Sequence, residues 1–254
     1  FLLFSCKEKA AETPKEYKLV WSDEFNGNSV NPDNWNFVLW DAGKVNNEWQ
    51  KYVEDTAYYK VKDGKLYITA KKTGDNAKGG YTSTRLSSQN KKEFQYGRIE
   101  FRAKMPKGRG TWPALWMLGS NINEVGWAKC GEIDVMEYVG FQSDTTHTNV
   151  HTKYQHGSTD FHKVIPLETA EENFHTYGLT WTADKMEFYL DNPTNITNTY
   201  APVNKTEDNW PFNQPFFMIM NFAVGGDWGG KKGVDETIWP QSMVVDYVRV
   251  YQKK

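Results

Sequence analysis

The chain is expected to fold as an all-β domain, a two-sheet antiparallel sandwich. Three observations lead there. Short runs of alternating or apolar residues, broken by Gly, Pro, Asn and Asp, follow one another from near Tyr17 to the C-terminus. No amphipathic helix longer than two turns is apparent, and residues 167–173 are the best short candidate. Aromatic residues, which favour strands, make up 15% of the chain. Many strands without helices bury their apolar faces sheet on sheet.

In chain order, strands are expected over 65–71, 81–87, 94–105, 111–118, 132–138, 146–153, 174–181, 185–190, 215–224 and 243–251. The alternation is clearest in 185–190, with Met186, Phe188 and Leu190 on one face and Lys185, Glu187 and Tyr189 on the other. His175, Tyr177, Leu179 and Trp181 alternate in the same way. No linker or repeat divides the chain, so residues 17–254 read as one domain.

A net charge of -2 without a basic stripe argues against nucleic acid as a partner. Two cysteines, Cys6 and Cys130, exclude a disulfide framework, and Cys130 reads as a small buried residue. The stretch Leu3-Phe4-Ser5-Cys6 resembles a bacterial lipoprotein signal. On that reading Cys6 is lipidated and residues 1–16 are a signal remnant and tether. The protein would then be an exported bacterial lipoprotein, at the cell surface or in the periplasm, touching the membrane only through its anchor. The plainer reading is an ordinary signal remnant with an incidental cysteine. No later apolar run reaches about 20 residues, so the mature domain is not expected to span a membrane.

The segment Gly131-Glu-Ile-Asp-Val-Met-Glu-Tyr-Val-Gly140 sets three carboxylates in what otherwise reads as a buried strand. Buried charges are costly unless paired or used. Glu132 and Asp134 share a face, whereas Glu137 is out of register and would point the other way. One extra residue near Val135-Met136, a β-bulge, would bring all three onto one surface. Two carboxyl groups flanking a glycosidic bond are the usual machinery for breaking it, and Asp134 between them could orient one and separate their pKa values. Spacing alone leaves two other readings open, a solvated acidic face or a cation site such as one for Ca²⁺. Eleven tryptophans serve mainly to pack a sandwich, yet they also suit a cleft that stacks on sugar rings.

The run Glu-Ile-Asp-Val-Met-Glu resembles the Glu-x-Asp-x-x-Glu signature of glycoside hydrolase family 16, in its laminarinase-like branch. Other stretches are similar in the same order: Trp21-Ser-Asp-Glu-Phe-Asn-Gly27, Asn46-Asn-Glu-Trp-Gln50, Tyr96-Gly-Arg-Ile-Glu100, Gly110-Thr-Trp-Pro-Ala-Leu-Trp-Met-Leu118, residues 216–226, and Gln241 through Tyr251. The resemblance implies a β-jelly-roll with a long open cleft and retaining endo-hydrolysis of β-1,3 or mixed β-1,3/1,4 glucans. It implies Glu132 as nucleophile, Asp134 as assisting carboxylate and Glu137 as general acid/base. No cofactor is expected for catalysis, and a monomer is expected. The run Asn149-Val-His-Thr-Lys-Tyr-Gln-His-Gly157 departs from the His-Gly-Pro stretch common in that branch, so His151 matches by position only.

The same resemblance places the shared face of Trp112 and Trp116 in the cleft, with Trp127 as a further stacking residue. Asn46, Asn47, Arg85 and Asn221 are the polar candidates for holding sugar hydroxyls. It also suggests a structural Ca²⁺ away from the cleft, held by Asp246, Glu24 and a backbone carbonyl near Gly64. Trp21, Trp35, Trp181 and Trp239 are expected to pack. The rival readings are a relative that cuts agar or carrageenan, and a sugar-binding jelly roll without catalysis.

Overall fold

The computed structural model describes residues 17–253. The expected tether, with the proposed lipid site at Cys6, lies outside them. The strands are β1 (Tyr17–Asp23), β2 (Asn36–Phe37), β3 (Gln50–Tyr52), β4 (Tyr59–Lys62), β5 (Lys65–Lys72), β6 (Tyr81–Ser83), β7 (Arg85–Ser87), β8 (Glu93–Phe94) and β9 (Gly97–Lys104). They continue as β10 (Thr111–Gly119), β11 (Glu132–Glu137), β12 (Thr145–His151), β13 (Lys163–Pro166), β14 (His175–Trp181), β15 (Met186–Leu190), β16 (Ile196–Tyr200), β17 (Phe216–Val224) and β18 (Gln241–Lys253). Two four-residue helices, α1 (Ile122–Val125) and α2 (Gly226–Gly229), lie in connections.

One sheet runs β16-β15-β14-β9-β18-β5-β6-β3, with β1 added on β18 and β4 on β5. The other runs β13-β12-β11-β10-β17-β7-β2, with β8 on β17. Among the described residues every strand pairing is antiparallel except β3 with β6, so the expected two-sheet sandwich is the observed architecture. Strand β17 shows how the layers are built. Phe216, Met218, Met220, Phe222 and Val224 face the other sheet and join the central core. Phe217 and Ile219 sit in a second cluster and Ala223 in a third, both on the opposite face. Leu66, Ile68, Ile99, Phe101, Val245 and Val248 meet them from the facing sheet. Each fully buried side chain of this kind stabilises the fold by roughly 1.5–3 kcal/mol.

Three sequence expectations need correction. The single strand expected over 81–87 divides at Thr84 into β6 and β7, which belong to different sheets. Likewise Phe94 lies in β8 and pairs with β17, while β9 begins only at Gly97, after Tyr96 turns the chain at φ 60°. The best short helix candidate, 167–173, is a series of turns. Met105 N–H donates to the Ala170 carbonyl at 2.9 Å, which ties these turns to the end of β9.

The residues expected to hold a structural cation have side-chain partners of their own. Both Glu24 carboxylate oxygens accept from Arg249, at 2.8 and 2.9 Å. Asp246 is paired with Arg102, and Lys65 stands 4.0 Å from it. Beside Gly64 the nearest group is the Asn26 side chain. The two carboxylates therefore have guanidinium partners. Trp35 and Trp181 are buried, and Trp21 and Trp239 pack against the core, as expected.

Candidate active site

The outer face of the second sheet carries the acids. Against β10, Met136 lies opposite Leu115 and Asp134 opposite Trp116, so Val135 is the extra residue. The same shift appears against β12, where Asp134 faces Asn149 and Glu137 faces His147. Val135 and Met136 both enter the core. The expected bulge is therefore present, and it turns Glu137 onto the face of Glu132 and Asp134.

Register then builds three cross-strand rows. Arg85, Asn221, Ala114, Glu137 and His147 are successive partners from β7 to β12. Beside them run Ile219, Trp116, Asp134 and Asn149, then Phe217, Leu118, Glu132 and His151. Glu132, Asp134 and Glu137 line one pocket with Asn46, Glu48, Arg85, Trp112, Trp116 and Asn221.

Each outer acid has an indole donor. Trp127 Nε1 donates to Glu132 Oε2 at 2.7 Å, and Trp112 Nε1 donates to Glu137 Oε1 at 3.1 Å. Burial, and then mutual repulsion, raise the pKa of Glu132 and of Glu137; burial raises that of Asp134. Three carboxyls this close cannot all ionise, so the cluster keeps protons near neutral pH.

Asn149, the partner of Asp134 on β12, also touches His151. Its Oδ1 accepts from Val150 N–H at 2.9 Å and from Thr159 Oγ1 at 2.5 Å, so its amide nitrogen must point to His151 Nε2, 3.2 Å away. The same ring nitrogen faces Asp134. Asp134 Oδ2 lies 3.2 Å from it, is buried, and has no other partner among the described residues. Glu132, Asp134 and His151 also form a group whose ligand atoms lie within 4.8 Å of one another, a composition that could hold an ion.

The other expected site residues divide. Arg85 is buried and sandwiched, its guanidinium 4.2 Å from the Trp40 ring centre and 4.9 Å from that of Trp116. Trp116 donates to Asn221 Oδ1 at 2.7 Å, and Asn221 donates to Tyr52 Oη at 3.0 Å. Trp127 is 52% exposed, with its ring against His156 and His151. Trp112 is only 9% exposed, so its ring is a wall and its N–H a donor rather than an open platform. Asn47 is not in the pocket; it donates to Asp227 Oδ1 at 2.9 Å and ties two loops together.

Sequence reasoning missed Glu48, a buried fourth acid that accepts from Gln50 at 2.7 Å and from Asn46 at 3.3 Å. Asn46, Glu48 and Gln50 alternate along one face, a signal that was present in the motif. It also missed Trp40, Trp228, His147 and His162, which strand register and contacts between distant segments bring to the site.

The family model for "Glycosyl hydrolases family 16" matches residues 44–249. A beta-glucanase of Rhodothermus marinus is 40% identical over 248 residues, covering 93% of this chain and 85% of the relative. The crystal structure of a laminarinase from Flavobacterium sp. UMI-01 is 49% identical, covers 92% of this chain and 100% of that one, and superposes with a TM-score of 0.87. A mutant of SCLam, described as a non-specific endo-beta-1,3(4)-glucanase co-crystallized with an oligosaccharide, is 36% identical over 94% of this chain and 98% of that one, with the same TM-score of 0.87. Sequence and fold agree over nearly the whole described length, and the chain belongs to glycosyl hydrolases family 16.

Proposed function

We propose that this protein is a retaining endo-β-glucanase that cuts β-1,3 and mixed β-1,3/1,4 glucans by double displacement, acting as a monomer. The observation that carries this reading is the β11 bulge, which gathers Glu132, Asp134 and Glu137 on one face beneath an aromatic-walled pocket. The similarity to glucanases of the same fold supports the substrate class. Retaining chemistry needs its two carboxyl groups roughly 5–5.5 Å apart, a spacing suited to neighbouring positions of one strand.

In this mechanism Glu132 attacks the anomeric carbon. The Trp127 N–H steadies its charge, and Asp134 stands beside it, facing His151. Glu137, kept protonated by burial and by its neighbours, gives its proton to the leaving oxygen. It then takes a proton from water, which releases the sugar from Glu132. Trp116 and Trp127 supply apolar surface for pyranose faces, and Arg85, Asn46 and Asn221 fix hydroxyls. Among the described residues Arg85 is the only lysine or arginine lining the pocket, which disfavours a sulfated galactan.

Product analysis on laminarin, cereal mixed-linkage glucan and an unbranched β-1,4 glucan tests the reading. Short oligosaccharides from the first two and none from the third are expected. No products from any of them, with the fold intact, would turn the search to algal galactans. The Leu3-Phe4-Ser5-Cys6 stretch supports a lipid anchor at Cys6 on an exported protein. Mass spectrometry of the purified membrane fraction for a diacylated N-terminal cysteine tests that separately.

A further inference from the structure

We propose that His147 and His162 act as a positioning pair for Glu137, gripping Trp228 and, through it, the Trp112 indole that bonds this glutamate. The inference rests on reading Glu137 as the acid/base. It begins with the register of β12. His147 is the direct partner of Glu137 across the bulge, and its side chain is 1% exposed. Its Nδ1 lies 3.0 Å from His162 Nε2. The two ring planes differ by 10° and their centres are 5.1 Å apart. With nitrogens so close and centres so far apart, the rings meet edge to edge along one N–H···N bond rather than face to face.

The direction of that bond follows from the other nitrogen. His147 Nε2 is buried and has no partner among the described residues. A proton there would be an orphan donor, which is costlier than an unused acceptor. The proton therefore sits on His147 Nδ1 and is donated to His162 Nε2. Burial, and then the neighbouring His162, hold the His147 ring neutral, with its pKa lowered to about 4. The geometry also argues against a metal chelate, because the two facing nitrogens are aimed at each other and not at a shared third point.

What the pair holds is Trp228. The indole meets His147 at 4.9 Å and 73°, His162 at 5.9 Å and 83°, and Trp112 at 5.5 Å and 79°, always edge to face. The backbone around it offers few side-chain anchors, since five of the nine residues from 225 to 233 are glycine. Gly229 lies so close to Trp112 that an added Cβ would stand 2.8 Å from the Trp112 Cβ. Each link in the series from His162 to His147, Trp228, Trp112 and Glu137 is thus a direct contact. If the acceptor on His162 is lost, His147 must turn to find a partner, Trp228 loses its edge, and the Trp112 donor drifts from Glu137.

His162 is exposed, so its variants should fold. His162→Leu removes the acceptor, and His162→Gln restores one through its amide oxygen. Two substrates separate acid catalysis from sugar binding: laminarin, and a dinitrophenyl β-laminaribioside whose leaving group needs no protonation. His162→Leu should lower kcat/KM on laminarin by about tenfold, a fraction of what a general acid contributes, and leave the aryl glycoside within about twofold. His162→Gln should recover most of the loss. In the proton–nitrogen spectrum, the His147 Nδ1–H should be protected from exchange in the wild type and in His162→Gln but not in His162→Leu. Equal losses on both substrates, no loss on laminarin, or Gln behaving like Leu would each overturn the proposal. Glu137→Gln is measured alongside. If it still turns over laminarin, the acid/base reading itself is wrong; if it does not, while His162→Leu is unaffected, only the positioning pair fails.

Discussion

Trp112 donates its indole N–H to Glu137 Oε1 at 3.1 Å from the neighbouring strand, so the residue expected to stack on sugar instead holds the acid/base carboxyl. That bond lowers the Glu137 pKa against the larger effect of burial, which raises it. Trp112→Phe keeps most of the wall and removes the donor. We expect kcat/KM to fall by about tenfold, within the range a general acid supplies. The alkaline limb of the pH profile should also move to higher pH, because the lost bond favoured the ionised form. A profile that moves to lower pH, or does not move, would contradict this role.

The acids should weaken the fold that carries them. Glu137 has a raised pKa in the native state, whereas an unfolded glutamate titrates near about 4.3. As pH rises past that value the unfolded chain releases its proton first, so stability falls with rising pH until the native group also ionises. Each pH unit that separates the two titrations costs about 1.4 kcal/mol. Glu137→Gln is neutral throughout and should be more stable than the wild type at pH 7, with the gap closing near pH 4. Equal denaturation midpoints at both pH values would show that this carboxyl is not under strain. The same variant, with Glu132→Gln, should lose nearly all hydrolysis.

The part of this arrangement that local pattern can express was legible in the sequence. Three acids in an apolar run required a bulge, and the structure has it at Val135. The strand expected over 215–224 is β17. What could not be read depends on register between distant segments. The sequence alternates His147, Asn149 and His151, but only the pairing of β12 with β11 sets each one against an acid. Glu24 and Asp246 look available until Arg249 and Arg102 arrive from elsewhere in the chain. The turns at 167–173 are tied to Met105, some 60 residues away.

His147 should make the protein acid-sensitive before its carboxylates do. Its pKa is about 4 in the fold, against 6.5 for the free ring. Below pH 6.5 the unfolded chain takes up a proton that the native ring refuses, so stability is lost as pH falls from 6.5 toward 4. The full effect is about 3 kcal/mol. Urea unfolding at pH 7 and pH 5 should show a smaller loss for His147→Gln than for the wild type. An equal loss in both would assign the acid sensitivity to other groups.

Adjacent asparagines should behave differently. Asn46 lines the pocket and bonds Glu48, whereas Asn47 bonds Asp227 in the loop that carries Trp228. Both have positive φ, 49° and 50°, so glycine is the replacement that avoids backbone strain. Asn46→Gly should raise KM on glucans by several-fold, as expected for a lost hydrogen bond of about 1 kcal/mol. Asn47→Gly should leave KM nearly unchanged while lowering the melting temperature slightly. The reverse pattern would place the sugar contact on Asn47.

Arg85 tests whether the pocket floor is held by charge or by shape. Its guanidinium lies between Trp40 and Trp116 and is buried, and its Nε has no partner among the described residues. A lysine keeps the charge but cannot stack as a plane or present an in-plane donor. Each desolvated cation–π contact is worth up to about 2 kcal/mol. Arg85→Lys should therefore lower stability and let Trp116 tilt on its Asn221 bond. KM on glucans should rise by about tenfold, the equivalent of about 1.4 kcal/mol. If Arg85→Lys binds and melts like the wild type, charge alone suffices, and the aromatic sandwich is packing rather than part of substrate recognition.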